Sequence, residues 1–190
     1  YNETLLWKTD EGIVVKPFYT KEDRVNNSSN NTEFKFNISQ SIYINDEKTV
    51  NYIAKNALEK GANAIEFIAE NPFDYKQLLA NIDVKNVFLY FRFQFLDASF
   101  VNDVSDYINS NNSYFQIDVI NNLAKNGNWF QNLKTDHLEL NNIVKHCPNS
   151  IGIDATLYQN SGATNTQQLA YTLAHANEYL NYFGIEVASK

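Results

Sequence analysis

Asp154, Thr156 and Gln159 are the polar side chains whose placement first suggests chemistry, because they follow directly on the apolar run Ile151-Gly152-Ile153. Parallel α/β folds keep ligand-facing groups where a buried strand gives way to a loop. Carboxylate, hydroxyl and amide groups at such a point can orient a polar substrate by hydrogen bonding. A second set belongs with them. Tyr114-Phe115-Gln116-Ile117-Asp118 places an amide and a carboxylate near the end of another apolar run. Gln116, Thr156, Tyr158 and Gln159 are therefore the candidate ligand-contacting residues.

Other reactive types are less suggestive. His137, His146 and His175 have no i, i+4 partner histidine and no adjacent cysteine or acidic cluster, so no metal site is expected. The single cysteine, Cys147, precedes Pro148 and reads as a small, semi-buried residue. The acidic pairs Asp10-Glu11 and Glu22-Asp23 read as solvated. Arg92 is the exception, a cation inside the apolar run Val87-Phe93. It either reaches the strand end and snorkels to solvent or pairs with a carboxylate on a neighbouring strand, such as Asp118, the ion pair being the favoured reading.

The elements that position these groups follow from hydrophobic periodicity. Strands are expected over Phe34–Ile44, with Phe36, Ile38 and Ile42 on one parity, and over Ala64–Ala69, Val87–Phe93, Tyr114–Ile120 and Ser150–Thr156. Between them, helices are expected from the Asp46 cap to Lys60, Asp74–Ile82, Ser99–Asn109 and Asp136–Lys145, with a final helix over Thr164–Phe183. Gly61 marks the end of the first helix. Such alternation implies right-handed βαβ units on a parallel sheet. An arm and linker over residues 1–33 precede an α/β domain over residues 34–190.

Composition narrows the function classes. A chain of 190 residues, 44% hydrophobic, can bury a substantial core. No apolar run is long enough to span a membrane, and no signal peptide is visible. One cysteine excludes an internal disulfide, and a cytoplasmic protein is expected. A net charge of -7 without a basic cluster argues against nucleic acid and against a dedicated phosphate clamp. The start at Tyr1 and the lack of methionine imply that the chain is part of something longer.

Two stretches resemble one enzyme family. Thr9-Asp10-Glu11-Gly12-Ile13-Val14-Val15-Lys16-Pro17-Phe18-Tyr19-Thr20, with Asp23, is similar to the opening segment of the methylmalonyl-CoA mutases. Gly162-Ala163-Thr164, Gln168-Leu169-Ala170-Tyr171-Thr172-Leu173-Ala174 and Glu178-Tyr179-Leu180 are similar to the family's G-A-[ST] turn and following helix. The resemblance implies a (β/α)8 TIM-type barrel. Since a whole barrel takes about 250 residues, the five βα units visible here make an incomplete one.

The resemblance also implies a role for each site. Catalytic chains of the family carry a Tyr-His pair before the Gly-Ala-Thr turn; the matching positions here are Thr156 and Leu157. Ala155-Thr156-Leu157-Tyr158 instead resembles the G-T-L-Y pattern of the family's small subunits. Gln116 and Asp118 keep the spacing of the family's substrate-amide segment, but Asn121–Leu133 contains no arginine for the substrate carboxylate. The D-x-H-x-x-G motif that ligates cobalt is missing, as is the loop that grips coenzyme A, replaced by the polar stretch Arg24–Thr32. A non-catalytic small subunit that stabilises the catalytic large subunit of an adenosylcobalamin-dependent mutase is thus implied, with the cofactor in the partner and none in this chain. An acyl-CoA-binding isomerase barrel active in its own right is the alternative. The apolar residues of the arm, among them Trp7 and Phe18, would cover either the partner or the chain's own barrel.

Overall fold

In the computed structural model the described residues are 3–24 and 36–184; the start of the expected first strand at Phe34 and most of the polar linker lie outside them. Near the N-terminus, β1 (Trp7–Lys8) and β2 (Val14–Val15) pair antiparallel as a small hairpin. The main sheet is parallel and four-stranded, in the order β3 (Ser39–Tyr43), β4 (Ala64–Ala69), β5 (Phe88–Phe93) and β6 (Ser113–Gln116). Consecutive neighbours are joined by α1 (Glu47–Glu59), by the short α2 (Tyr75–Leu78), and by α3 (Ala98–Ile108). The fold is α/β, an open parallel sheet and not a closed barrel.

Registration sorts the strand side chains onto two faces. Ile42, Phe67, Phe91 and Phe115 form one lateral row and are buried with Val50 and Ala54 of α1 and Val101 and Val104 of α3. Leu140 and Ile143 of α5 (Leu133–His146) join the same cluster. Burying this face against helices is the main stabilising contribution, since each large apolar side chain removed from water contributes about 1.5–3 kcal/mol. The opposite face is polar. Ser41, Glu66, Tyr90 and Tyr114 stand in one row, and Tyr43, Ile68, Arg92 and Gln116 in the next.

Helix starts follow local cap chemistry. The side chains of Asp46, Asp97 and Asn132 accept from backbone N–H groups three residues on, satisfying donors that the first turn leaves free. Thr164 and Gln167 form a reciprocal capping box at the start of α7 (Asn165–Phe183). α2 is shorter than the expected Asp74–Ile82 because Asn81 adopts a left-handed φ of 59°, which ends helical geometry.

Three expectations are corrected. The strand expected over Tyr114–Ile120 stops at Gln116, because Asp118 caps α4 (Val119–Asn126) by accepting from Asn121 N–H. The strand expected over Ser150–Thr156 is reduced to one parallel bridge between Ile151 and Ile117. Asp154 then folds the chain back by accepting from both the N–H and the hydroxyl of Thr156, opening α6 (Thr156–Asn160). Of the common parity expected for Phe36, Ile38 and Ile42, only Ile42 is buried; Phe36 and Ile38 are exposed ahead of the paired segment.

Candidate functional site

Polar groups converge at the C-terminal end of the parallel strands, where Arg92, Gln116, Asp118, Asp154 and Thr156 line a cavity of about 270 Å3. Gln116 also lines a larger groove of about 810 Å3 along the polar face, beside Tyr90, Tyr114 and Tyr179. Two of the four sequence candidates, Gln116 and Thr156, thus share one site. Tyr158 turns away from it, towards the helical layer, and Gln159 is exposed on α6.

Arg92 pairs with different carboxylates from the one expected. Its Nη2 donates to Glu66 Oε1 at 2.7 Å, and Nη1 lies 3.6 Å from Asp154 Oδ2. Strand registration explains the choice. Ile68 is opposite Arg92, so Glu66 is its diagonal neighbour on the same face, whereas Asp118 lies beyond β6 at the start of a helix. Glu66 also accepts from the Ser41 hydroxyl. The result is a guanidinium whose charge is met on two sides, with a side chain 39% exposed.

Gln116 is held by a close backbone approach. A Cβ placed on Gly152 would lie 2.6 Å from Gln116 Cγ and 3.2 Å from its Cβ. Glycine is required there to let the 151–153 segment lie against β6.

Asp118 is the hub of a buried network that spacing in the sequence does not disclose. Its Oδ1 accepts from Asn121 N–H at 2.9 Å, His175 Nε2–H at 2.9 Å and the Tyr179 hydroxyl at 2.7 Å. The His175 and Asp118 side chains are only 1% and 5% exposed. A carboxylate can only accept, so Nε2 carries a proton, and Nδ1 pairs with the Tyr158 hydroxyl at 3.1 Å. Tyr179 in turn accepts from Ile120 N–H at 3.2 Å. Burial first, and then the charge of Asp118, push both the Tyr158 and Tyr179 hydroxyls above the ordinary tyrosine value. The phenols are therefore proton-holding donors rather than nucleophiles.

Asp118 lies 57 residues from His175, so no local spacing in the sequence pairs them. One local signal was present, the i, i+4 spacing of His175 and Tyr179 on the only buried face of α7.

The remaining histidines are also engaged. His137 Nδ1 bonds the Leu133 carbonyl and its ring packs against Trp129 and Tyr182. His146 Nε2 lies 2.7 Å from Asp106 Oδ1. Asp136, fully buried beside His137, accepts from the N–H groups of Phe130 and Gln131. Among the described residues, no three His, Cys, Asp or Glu side chains gather as a metal site. No helix among them is long and apolar enough to cross a membrane.

The acidic pairs at the N-terminus are partly structural rather than simply solvated. Glu11 accepts from Asn165 N–H, tying the hairpin to the start of α7. Asp23 pairs with Lys16 and closes a turn on Thr20 N–H. Trp7, Ile13, Phe18 and Tyr19 in this arm are each at least 60% exposed.

Comparison with known proteins bears on the second half of the chain. Residues 108–186 match the family model for methylmalonyl-CoA mutase. The match spans less than half of the chain and makes that part similar to the mutase family. It runs from the last residue of α3 through α7 and so contains Gln116, the Asp118 network, Thr156 and the Gly-Ala-Thr turn. The opening segment similar to the mutases, Thr9–Asp23, lies outside the matched residues. No curated protein matches the chain.

Proposed function

We infer that the chain is a non-catalytic small subunit of a methylmalonyl-CoA mutase, an isomerase interconverting methylmalonyl-CoA and succinyl-CoA, and that it stabilises the catalytic large subunit. One observation carries this reading. The positions where catalytic mutases place their Tyr-His pair hold Thr156 and Leu157, and the Thr156 hydroxyl is already spent on Asp154 at 2.6 Å. A threonine whose hydroxyl is bonded to Asp154 and a leucine cannot supply a phenol or an imidazole to a reacting thioester.

The residues present do not fit adenosylcobalamin. A cobalt ligand needs a free imidazole nitrogen in an accessible position. His175 is enclosed by Asp118 and Tyr158, His137 packs between aromatic rings, and His146 faces Asp106 outside any D-x-H-x-x-G context. The cofactor and the radical chemistry it supplies are assigned to the large subunit. The exposed Trp7, Phe18 and Tyr19 of the arm supply apolar surface suited to that partner.

The test is co-purification. Tagged large subunit should retain this chain through gel filtration, while the chain alone, titrated with methylmalonyl-CoA by calorimetry, should show neither tight binding nor turnover. Sub-micromolar affinity or isomerisation by the isolated chain would instead establish an acyl-CoA isomerase active in its own right.

A further inference from the structure

α7 is attached to the sheet in a different way from the helices before it. Of its 19 residues only His175 and Tyr179 are buried, and both carry polar atoms. By contrast, α3 buries Ala98, Val101, Val104 and Ile108, and α5 buries Leu140, Ile143 and Val144 beside two polar residues. Leu169 and Leu173, in the first half of α7, are 62% and 60% exposed. The hydrogen bonds that hold α7 down converge on one atom. Asp118 Oδ1 accepts from His175 Nε2–H at 2.9 Å and from the Tyr179 hydroxyl at 2.7 Å.

We propose that α6 and α7 form a hinged cover that opens as one unit, with Asp118 as its latch. The cover walls the groove of about 810 Å3. Ala176, Leu180 and Phe183 line that groove from α7, and Tyr90, Tyr114 and Gln116 line it from the sheet. Moving α7 off the sheet therefore widens the groove.

The two helices move together because α6 is fastened to α7. The Tyr158 hydroxyl pairs with His175 Nδ1 at 3.1 Å, and its ring centroid lies 5.4 Å from that of Tyr171. The chain that leads into α6 is fastened to the sheet instead. Ile151 bridges Ile117, Gly152 lies against Gln116, and Asp154 Oδ2 is 3.6 Å from Arg92 Nη1. The hinge thus falls in the turn at 154–156, between those two sets of contacts.

Opening is easier here for a physical reason. Hydrogen bonds broken on opening are replaced by bonds to water, so little of their gross strength resists it. Aliphatic surface uncovered when α3 or α5 leaves the sheet has no such replacement. Beyond the latch, opening breaks the exposed bond from Asn165 N–H to Glu11, the contact of Tyr182 with the His137 ring at 4.5 Å, and the burial of the Tyr179 ring in the apolar cluster. Segments with so few buried apolar contacts open below the free energy of global unfolding. The cover rests on this geometry and stands or falls separately from the mutase reading.

The experiment is residue-resolved hydrogen exchange of the full chain by NMR at increasing urea below the unfolding transition. Amides of residues 169–183, including those beside the buried His175 and Tyr179, should share one opening with the Ser161 and Ala163 amides, which bond the Leu157 and Tyr158 carbonyls. They should be roughly tenfold or more less protected than the amides of α3 and α5. Their urea dependence should be weaker, because a local opening exposes less surface than global unfolding. Asp118→Asn keeps a good cap for α4 but removes the charge from the latch, so protection over 169–183 should fall roughly tenfold. Tyr179→Phe, which keeps the ring and removes one latch bond, should act in the same direction. Protection beside His175 and Tyr179 equal to that of α3, with the same urea dependence, would overturn the proposal. Protection that rises gradually along α7 from Thr164 would also overturn it, showing fraying in place of a unit, as would unchanged exchange over 169–183 in both variants.

Discussion

Tyr179→Phe removes one oxygen from a ring that is 3% exposed and leaves its packing intact. That oxygen donates to Asp118 Oδ1 at 2.7 Å and accepts from Ile120 N–H at 3.2 Å. A hydrogen bond to an ionised carboxylate contributes about 1.5–3 kcal/mol, and stranding the Ile120 N–H adds about 1 kcal/mol. A loss of about 3 kcal/mol in a domain of this size corresponds to a fall in Tm of about 10 °C, read by far-UV circular dichroism. The same substitution has a pH signature. Burial and the Asp118 charge raise the Tyr179 hydroxyl above its unfolded value, which is about 10. The unfolded chain loses this proton above that pH while the folded chain keeps it. The stabilisation is therefore complete below pH about 10 and is lost as pH rises further, by up to about 1.4 kcal/mol per unit. Tyr179→Phe lacks the group, so its stability should decline less steeply in alkali than that of the parent. A Tm within about 2 °C of the parent, together with parallel alkaline slopes, would refute the assignment of Asp118, His175 and Tyr179 to one buried network.

Gly152→Ala should destabilise by about 1–3 kcal/mol in urea unfolding, the usual effect of overpacking, because the new Cβ meets Gln116 Cγ at 2.6 Å; a crystal structure should show Gln116 displaced from the groove. Cys147 is 4% exposed, and burial pushes its thiol up, so little thiolate is present at neutral pH. Iodoacetamide followed by mass spectrometry should therefore label it only after unfolding. Native labelling as fast as that of free glutathione would contradict its burial.

Sequence legibility tracked the range of the interactions involved. The strand over Ala64–Ala69 falls where expected because its apolar run is bounded by turn residues on both sides. The helices beginning at Asp46 and Thr164 were legible from cap residues whose partners lie three positions on. Asp118 and Asp154 were misplaced into strands for the complementary reason. Each follows an apolar run, and only its side-chain bond to a nearby backbone N–H reveals that a helix starts there. The Arg92 partner was missed because lateral registration of β4 and β5 selects Glu66, and registration depends on which face each whole strand buries.

By itself, then, the sequence determined the α/β class, the order of most elements, and the resemblance that the match over residues 108–186 supports. Those features depend on residue identity and on neighbours within a few positions. Tertiary structure alone decided that His175 meets Asp118 across 57 residues and that Arg92 lies between Glu66 and Asp154. Contacts of that kind are selected by the joint packing of helices on the sheet, and no local spacing in the chain encodes them.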